Sequence, residues 1–325
     1  MIRISVLAAL AILVIACPIL GVLTGKPALI TFGTQVAIYA LATMAVEIIF
    51  GNAGLSSLGQ AGFFAIGGYV SGIISAQMVA GETIFGWAGT RSAPAVWLIA
   101  GATSGIFGFV IGLLCVRAKG SQFIMLTLAF GQLIHLFLVS LAPFGGDDGL
   151  LIQGRTEWPL IGVPSDLQFY CICWGTVIVA GILIHRLLTS RYGVTVNALR
   201  QNERRTESLG VRPVSMLLPS FALSAAIMGI AGAMWADFSS FVSPDMASWQ
   251  LSSEFLSMSI LGGVGSLQGA LLGALAYVTM QTVFSILTDR WLLIFGGSLI
   301  VIVLFSRGGL YGFVERLASR VSPRC

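Results

Sequence analysis

Hydrophobic residues occur in ten runs along this 325-residue chain, separated by short polar or glycine-rich segments. Because the hydrocarbon core of a bilayer is about 30 Å thick, a helix needs roughly 20 apolar residues to cross it. The pattern therefore predicts an all-α, polytopic transmembrane bundle of about ten spans, some of them broken or re-entrant. The predicted spans cover residues 4–23, 29–50, 59–79, 95–116, 123–141, 168–184, 214–237, 252–261, 268–287 and 291–305.

Two glycine-rich stretches stand out within this pattern. Residues 252–261 are too few to cross a membrane without tilting, and they continue into a cluster of glycines, which predicts a broken or re-entrant helix. Residues 59–72 are also rich in small residues. Two interpretations are open for both stretches: ordinary close packing of helices, or free backbone groups that line a translocation path. The residues considered for such a path are Glu47, Ser57, Gly59, Gln60, Gly262, Gly263 and Gly265.

Few ionisable residues lie within or beside the predicted spans. Burying a charge in lipid is expensive, so such residues usually face a cavity or pair internally. Of Glu47, His135 and Glu254, the first is the best candidate for a pathway role or a structural hydrogen bond. His135 is equally consistent with a neutral packing residue. Asp237 and His185 lie at the ends of predicted spans, where a position at the membrane interface is favoured.

The longest polar interruption runs from residue 186 to residue 213 and holds six of the seventeen basic residues. Within it, four charged residues recur at i, i+3, i+4 and i+7, which predicts one charged stripe on a single helix. They are Arg200, Glu203, Arg204 and Glu207. Gly210 is predicted to end this helix in a left-handed conformation, and Pro213 to begin the next span. The segment is either a solvated loop or a helix that docks into a groove on a soluble partner.

Composition supports a membrane protein, because 57% of the residues are hydrophobic and only 9% are charged. A soluble domain has about 25% charged residues. With ten spans and both termini in the cytoplasm, thirteen of the seventeen basic residues fall on the cytoplasmic side, in agreement with the positive-inside rule. The chain is therefore expected to be a single transmembrane domain, 1–325, with a cytoplasmic loop at 189–213.

The sequence contains no pattern that indicates catalysis. Residues 55–60 resemble the signature of an ABC ATPase only superficially, because no glycine-rich phosphate-binding loop with Lys and Ser or Thr occurs in the chain. Two histidines, five scattered cysteines and the lack of paired carboxylates provide no protease, hydrolase or metal site. We therefore expect a transport subunit that is not an enzyme and that holds no cofactor or metal of its own.

Six sequence blocks, in order along the chain, carry a family resemblance. They are Gly54-Leu-Ser-Ser-Leu-Gly-Gln-Ala-Gly-Phe63, Lys119-Gly-Ser-Gln-Phe123, Gly145-Gly-Asp-Asp-Gly149, Ala198-Leu-Arg-Gln-Asn-Glu203, Gly262-Gly-Val-Gly-Ser-Leu267 and Leu304-Phe-Ser-Arg-Gly-Gly-Leu310. With these blocks the chain resembles the branched-chain amino acid permeases of ABC importers, particularly the LivM-like member of the permease pair. The likeness extends from about residue 30 to residue 313.

This resemblance implies a multi-pass permease for leucine, isoleucine and valine in a bacterial inner membrane, surrounded by lipid and binding no nucleic acid. It implies three kinds of partner: a second, homologous permease, two cytoplasmic ATPases that bind ATP and Mg, and an extracytoplasmic substrate-binding protein. It also implies that the 194–210 helix is a coupling helix seated on the ATPase. The residues assigned to it are Ala198, Arg200, Asn202, Glu203, Arg204, Glu207, Leu209 and Gly210.

The chain departs from the family pattern at a few positions. Arg204 and Arg205 stand where relatives usually carry small or apolar residues. Glu47 replaces a commonly neutral amide, and Gln132 stands where a Glu is frequent. Because the last two lie in spans near the expected path, an importer of urea, short amides or other amino acids is an alternative. A stand-alone secondary transporter is a rival class, although such proteins usually carry more intramembrane ionisable residues.

Overall fold

A computed structural model describes residues 27–80, 92–152, 155–158, 162–288, 290–305 and 308–312, and these residues are predominantly helical. In chain order the helices are α1 (Ala28–Glu47), continued by a π-helix (Ile48–Ala53), α2 (Gln60–Ala80), α3 (Ala93–Cys115), α4 (Ser121–Ser140), α5 (Asp166–Thr189), α6 (Arg191–Gln201), α7 (Glu203–Ser208), α8 (Pro213–Ser239), α9 (Trp249–Gly262), α10 (Leu267–Leu287) and α11 (Trp291–Phe305).

Seven helices within the described part of the chain are long and apolar enough to cross a membrane. They correspond to the predicted spans that begin near residues 29, 59, 95, 123, 168, 214 and 268. The predicted span at 4–23 lies outside the described residues. Helices α9 and α11 have 14 and 15 residues, fewer than the roughly 20 that an untilted crossing needs. A total of about ten spans, with both termini in the cytoplasm, therefore remains a prediction.

The chain divides into two compact units, each described by itself. The first unit comprises the described residues within 1–47, 166–181 and 255–325. Here α10 packs along α1, and aromatic rings fill the space between helices. The rings of Tyr39 and Phe255 meet edge to face with centroids 5.9 Å apart. Tyr277 makes a similar contact with Phe295 at 5.0 Å, and such pairs favour the edge-to-face arrangement because of their ring quadrupoles.

The second unit comprises Ile48–Ser165 and Ile182–Glu254, and small residues bring its helices together. A Cβ added to Gly67 of α2 would lie 2.0 Å from the carbonyl oxygen of Gly229 in α8. A row of glycines on α3 faces the same helix and allows the two backbones to pack closely. In this row Gly101, Gly105, Gly108 and Gly112 approach Ile230, Ala226, Ala225 and Leu218, respectively.

Short non-helical segments join the helices of the second unit. Strand β1 (Leu150–Leu151) pairs antiparallel with β2 (Phe241–Val242), so that the segment after α4 lies beside the segment after α8. A 3-10 helix, Pro244–Ala247, follows β2. Its first carbonyl oxygen lies 2.9 Å from Nδ1 of His135 on α4, so this histidine has a hydrogen-bonding role in packing.

Candidate functional site

The segment between α5 and α8 forms two short helices, and the prediction of one continuous charged stripe is therefore wrong. Asn202 has extended backbone angles (φ −157°, ψ 97°) and separates α6 from α7. Its backbone N–H still donates to the carbonyl of Ala198 at 3.0 Å, while its side-chain oxygen accepts from the N–H of Arg205 at 3.1 Å. One asparagine thus ends the first helix and caps the second, because its side chain competes with helical hydrogen bonding. Arg200 lies on α6, whereas Glu203, Arg204 and Glu207 lie on α7.

Helix α6 is held by one buried face. Gly193, Val196 and Leu199 are buried at a spacing of three residues, as expected for one side of a helix. The hydroxyl of Tyr192 donates to the carbonyl oxygen of Met216 on α8 at 2.6 Å. Burial raises the pKa of Tyr192, so the hydroxyl keeps its proton for this bond. The helix is therefore anchored to the start of α8.

Arg200 joins α6 to the π-helix that continues α1. Its guanidinium donates a hydrogen bond to the carbonyl oxygen of Gly51. Because the π-helix ends at Ala53, this carbonyl is among the last of the helix, where a cationic donor is favourable. The aliphatic part of Arg200 lies over Gly54, where an added Cβ would be 2.8 Å from Cγ of the arginine. Gly54 has φ +74°, which favours glycine on its own.

Glu203, the first residue of α7, pairs with a lysine in the turn between α3 and α4. Its Oε1 lies 2.9 Å from Nζ of Lys119. The hydrogen bond to Glu203 raises the pKa of Lys119, which is otherwise open to solvent. Lys119 is exposed and Glu203 is half-buried, so the pair orients α7 more than it stabilises the fold.

Two apolar side chains of the α6–α7 segment are exposed. Because they lie outside the long apolar helices, the lipid around those helices does not cover them. Val194 on α6 is 63% exposed and Leu209, just after α7, is 79% exposed. Arg204 and Glu207 on α7 are exposed as well. Gly210 then has φ +87°, and α8 begins at Pro213. The predicted helix end at Gly210 and the predicted helix start at Pro213 are therefore confirmed. A surface of mixed apolar and charged side chains outside the spans is typical of a protein-binding site.

Glu47 lies buried at the end of α1, 1% exposed, and is held in a hydrogen-bond network of the first unit. Its carboxylate accepts a hydrogen bond from the hydroxyl of Ser259 on α9 and another from the backbone N–H of Gly265. Gly263 and Gly265, with φ +118° and +93°, form the predicted break between α9 and α10. The structure thus gives Glu47 the structural hydrogen bonds that the sequence allowed, and its place on a path stays a prediction.

The two helices that flank this break also pack tightly. A Cβ added to Gly262 would lie 1.9 Å from the carbonyl oxygen of Gly269, and Gly273 approaches the carbonyl of Met258 equally closely. Ser266 caps α10 by accepting from the N–H of Gly269 at 3.1 Å. The glycines at the break therefore serve both the chain reversal and the backbone contact.

The other glycine-rich stretch, residues 59–72, contains no break, since α2 is continuous from Gln60 to Ala80. The irregular segment lies just before this helix. Residues 54–59 are not helical. Within them Ser57 Oγ accepts from the N–H of Gly59 at 3.3 Å, and Thr127 Oγ1 on α4 accepts from the N–H of Leu58 at the same distance. Ser252 on α9 accepts from the N–H of Ala61 at 3.0 Å. Hydroxyl groups thus accept from two N–H groups just before α2 and from one in its first turn.

Gln60, the first residue of α2, differs from its neighbours. It is 1% exposed, and neither Nε2 nor Oε1 has a hydrogen-bond partner in the described part of the chain. A buried amide without partners is costly, so such groups in folded proteins require an explanation.

Asp237 lies near the end of its span as predicted, and its position relative to the membrane interface stays a prediction. It is fully buried at the end of α8, where Oδ2 accepts from Nε1 of Trp97 at 2.7 Å and from Oγ1 of Thr156 at 2.8 Å. This carboxylate ties α3 and the loop before α5 to α8. His185, by contrast, is exposed on α5, and Glu254 on α9 is half-buried.

Several of these contacts have no signal in the sequence. The hydrogen bonds Arg200–Gly51, Ser252–Ala61 and Trp97–Asp237 join residues that are 149, 191 and 140 positions apart. Asn202 did offer a signal, because asparagine three residues before a capped N–H is a common helix start. Among the described residues, no group of three or more His, Cys, Asp or Glu side chains is arranged to hold a metal ion.

Comparison with known families gives one match that covers most of the chain. Residues 28–304 match the family described as "Branched-chain amino acid transport system / permease component". The match begins at the first residue of α1 and ends within α11. It therefore includes the two glycine-rich stretches, 59–72 and 262–265, and the α6–α7 segment.

Individual relatives are similar at a lower level. The high-affinity branched-chain amino acid transport system permease protein LivM of Escherichia coli K12 is 28% identical over 305 residues, which cover 86% of this chain and 69% of LivM. LivH, named as a permease protein of the same kind of system in that organism, is 23% identical over 246 residues, 73% of this chain and 78% of LivH. The permease protein BraD of Pseudomonas aeruginosa is 24% identical over 291 residues, which cover 85% of this chain and 92% of BraD. No solved structure shows significant similarity to the chain.

Proposed function

Because the chain belongs to the family of branched-chain amino acid transport system permease components, we propose that it is a permease subunit of an ABC importer. Its spans would form part of the path along which leucine, isoleucine and valine cross the membrane. The transport is driven by ATP and Mg bound to separate ATPase chains, since this sequence has no phosphate-binding loop. A bacterial inner membrane is the proposed location.

The proposed assembly contains a second, similar permease beside this chain. Two differently named permease proteins of one organism, LivM and LivH, both resemble it, which supports a pair of related but distinct permeases. Two ATPase subunits bind on the cytoplasmic side and a substrate-binding protein delivers the amino acid from outside. Selectivity then rests mainly on the binding protein.

The proposed coupling site is the α6–α7 segment. The positive-inside rule, applied to ten spans, supports a cytoplasmic position for it. The hydrogen bond from Arg200 to Gly51 is the observation that carries this proposal, because it connects the segment to the end of the first described long helix. A displacement of α6 by a nucleotide-driven partner is thereby transmitted to the π-helix, while the exposed Val194 and Leu209 provide apolar contacts for that partner.

The test is a charge exchange at both of its charged anchors, Arg200→Glu combined with Glu203→Lys. The double variant keeps the net charge but breaks the bond to Gly51 and places two like charges together, at Lys119 and position 203. In the complete transporter reconstituted in proteoliposomes, we expect ATP hydrolysis to continue while uptake is lost. An unchanged number of ATP molecules hydrolysed per amino acid transported would refute the coupling assignment.

Two alternatives are separated by simple measurements. An importer of urea or short amides would fail to take up labelled leucine and would accept those solutes with its own binding protein. A secondary transporter would move solute as a purified chain along an ion gradient, without ATP. Reading frames for an ATPase and a binding protein beside this gene would favour the ABC importer over that second class.

A further inference from the structure

We infer that Gln60 at the N-terminus of α2 binds the charged head group of the transported amino acid, an inference that rests on the proposed function. The amide NH2 donates to the α-carboxylate, which lies near the partial positive charge of the helix N-terminus, and the amide oxygen accepts a hydrogen bond from the α-ammonium group.

The burial of Gln60 is the first argument. Among the described residues it is the one amide or carboxyl side chain in which both polar atoms are buried without a hydrogen-bond partner. At 1% exposure, these atoms also have no contact with bulk solvent. An apolar residue of similar size would stabilise the protein at this position, so the presence of an amide here indicates a role that folding does not require.

The surroundings of Gln60 are the second argument. Helix α2 has 21 residues with no acidic side chain in its first turn, so the partial positive charge of its N-terminus is not neutralised locally. The nearby capping groups are neutral hydroxyls, from Ser57 and Ser252, which are 4% and 1% exposed. A helix N-terminus with neutral polar groups favours a carboxylate. A neutral amide that both donates and accepts is matched to a zwitterion, which presents an acceptor and a donor together.

The chain before α2 allows the site to open. Residues 54–59 are not helical, and Gly54 has a left-handed backbone with φ +74°. These residues directly follow the π-helix that Arg200 contacts. A movement of that helix therefore displaces the segment that leads into Gln60, and the buried amide is exposed in one state and enclosed in another.

The experiment uses the complete transporter in proteoliposomes, with ATP inside and the binding protein loaded with radiolabelled leucine outside. Gln60→Met removes both polar atoms at nearly constant volume, and Gln60→Glu places a negative charge against the carboxylate. The matched control is Gln281→Met on α10, since the amide of Gln281 has a partner in Gln35 at 3.4 Å. The melting temperature of each purified assembly is measured in parallel.

We expect Gln60→Met to reduce leucine uptake at least tenfold while its melting temperature is unchanged or higher. Gln60→Glu should reduce uptake further, and the control should remain within twofold of the wild type. Two results overturn the inference: uptake by Gln60→Met at the wild-type rate, or a marked fall in its melting temperature, which would show that the amide has structural partners. If the wild-type assembly itself takes up no leucine, the proposed function fails, and the head-group assignment fails with it.

Discussion

The guanidinium of Arg200 donates a hydrogen bond to the carbonyl oxygen of Gly51, a residue 149 positions earlier in the chain. Arg200 is in the last turn of α6, and Gly51 is near the end of the π-helix. The end of an α-helix and the end of a π-helix are thereby fixed to each other. Such a contact can transmit a displacement, because neither end can move far without breaking it.

Replacing Arg200 by alanine should reduce transport more than it reduces stability. The variant leaves the buried face of α6 and the bond of Tyr192 intact, so the helix stays on α8. Contributions of single positions to coupling are about 0.5–2 kcal/mol, which corresponds to a loss of roughly two- to thirtyfold in uptake per ATP hydrolysed. The measurement compares uptake and ATP hydrolysis in proteoliposomes.

Arg186→Ala is the control for this prediction, because Arg186 is an exposed arginine at the end of α5. It should keep wild-type coupling. Arg200→Lys should be intermediate, since lysine keeps the charge but lacks the planar fork of donors. Equal coupling in the wild type and in Arg200→Ala would contradict a role of this bond in transmission.

Gly54→Ala should weaken the same contact from the other side. An alanine at φ +74° is strained by about 1–2 kcal/mol, and its Cβ would lie 2.8 Å from Cγ of Arg200. The flexible arginine stem then moves and loses the bond to Gly51. We expect reduced stability together with reduced coupling, measured by thermal unfolding and by uptake per ATP.

Gly120→Ala is the control that has backbone strain without a steric contact. Gly120 has φ +57°, and no atom lies within 4 Å of an added Cβ. This variant should lose stability and keep coupling. In a background that already carries Arg200→Ala, Gly54→Ala should add little to the coupling defect. Independent, fully additive coupling losses would show that the two residues do not act through one contact.

Glu47→Ala should destabilise the protein by roughly 2–4 kcal/mol, because it leaves the Ser259 hydroxyl and the Gly265 N–H without their acceptor. Glu47→Gln should cost less, since it keeps one carbonyl oxygen as an acceptor. Chemical unfolding of the purified assembly measures both values. Ser259→Ala serves as the reference, because it removes only one of the two donors. A smaller cost for Glu47→Ala than for Ser259→Ala would contradict the proposed role of this carboxylate in holding the break.

The long helices and the chain breaks could be predicted from the sequence, because each depends on local information. A run of apolar residues of sufficient length has few alternatives to a helix in a membrane. Gly210 and Pro213 mark a helix end and a helix start through their own backbone preferences. The glycines at 262–265 likewise predicted a break that the structure contains.

The arrangement of the candidate sites could not be predicted, because it depends on contacts between distant residues. Helical spacing predicted Arg200 and Glu203 on one stripe. Because the side chain of Asn202 caps a new helix between them, Arg200 contacts Gly51 and Glu203 contacts Lys119. Asp237 ends a hydrophobic run, but its burial inside the protein was not predicted. Its burial depends on two donors, Trp97 and Thr156, that no local pattern connects to it.

Gly67→Ala tests whether close backbone packing, rather than a path, explains the glycines inside α2. The added Cβ would lie 2.0 Å from the carbonyl oxygen of Gly229, and two helix backbones cannot separate without opening the core of the second unit. We expect a loss of about 1–3 kcal/mol in the free energy of unfolding, measured by denaturant titration of the purified protein. Gly175→Ala on α5 is the control, since no atom lies within 4 Å of its added Cβ, and it should be neutral or slightly stabilising. If Gly67→Ala instead has the same free energy of unfolding as the control while uptake falls, close packing does not explain the glycines of α2. They would then line the translocation path.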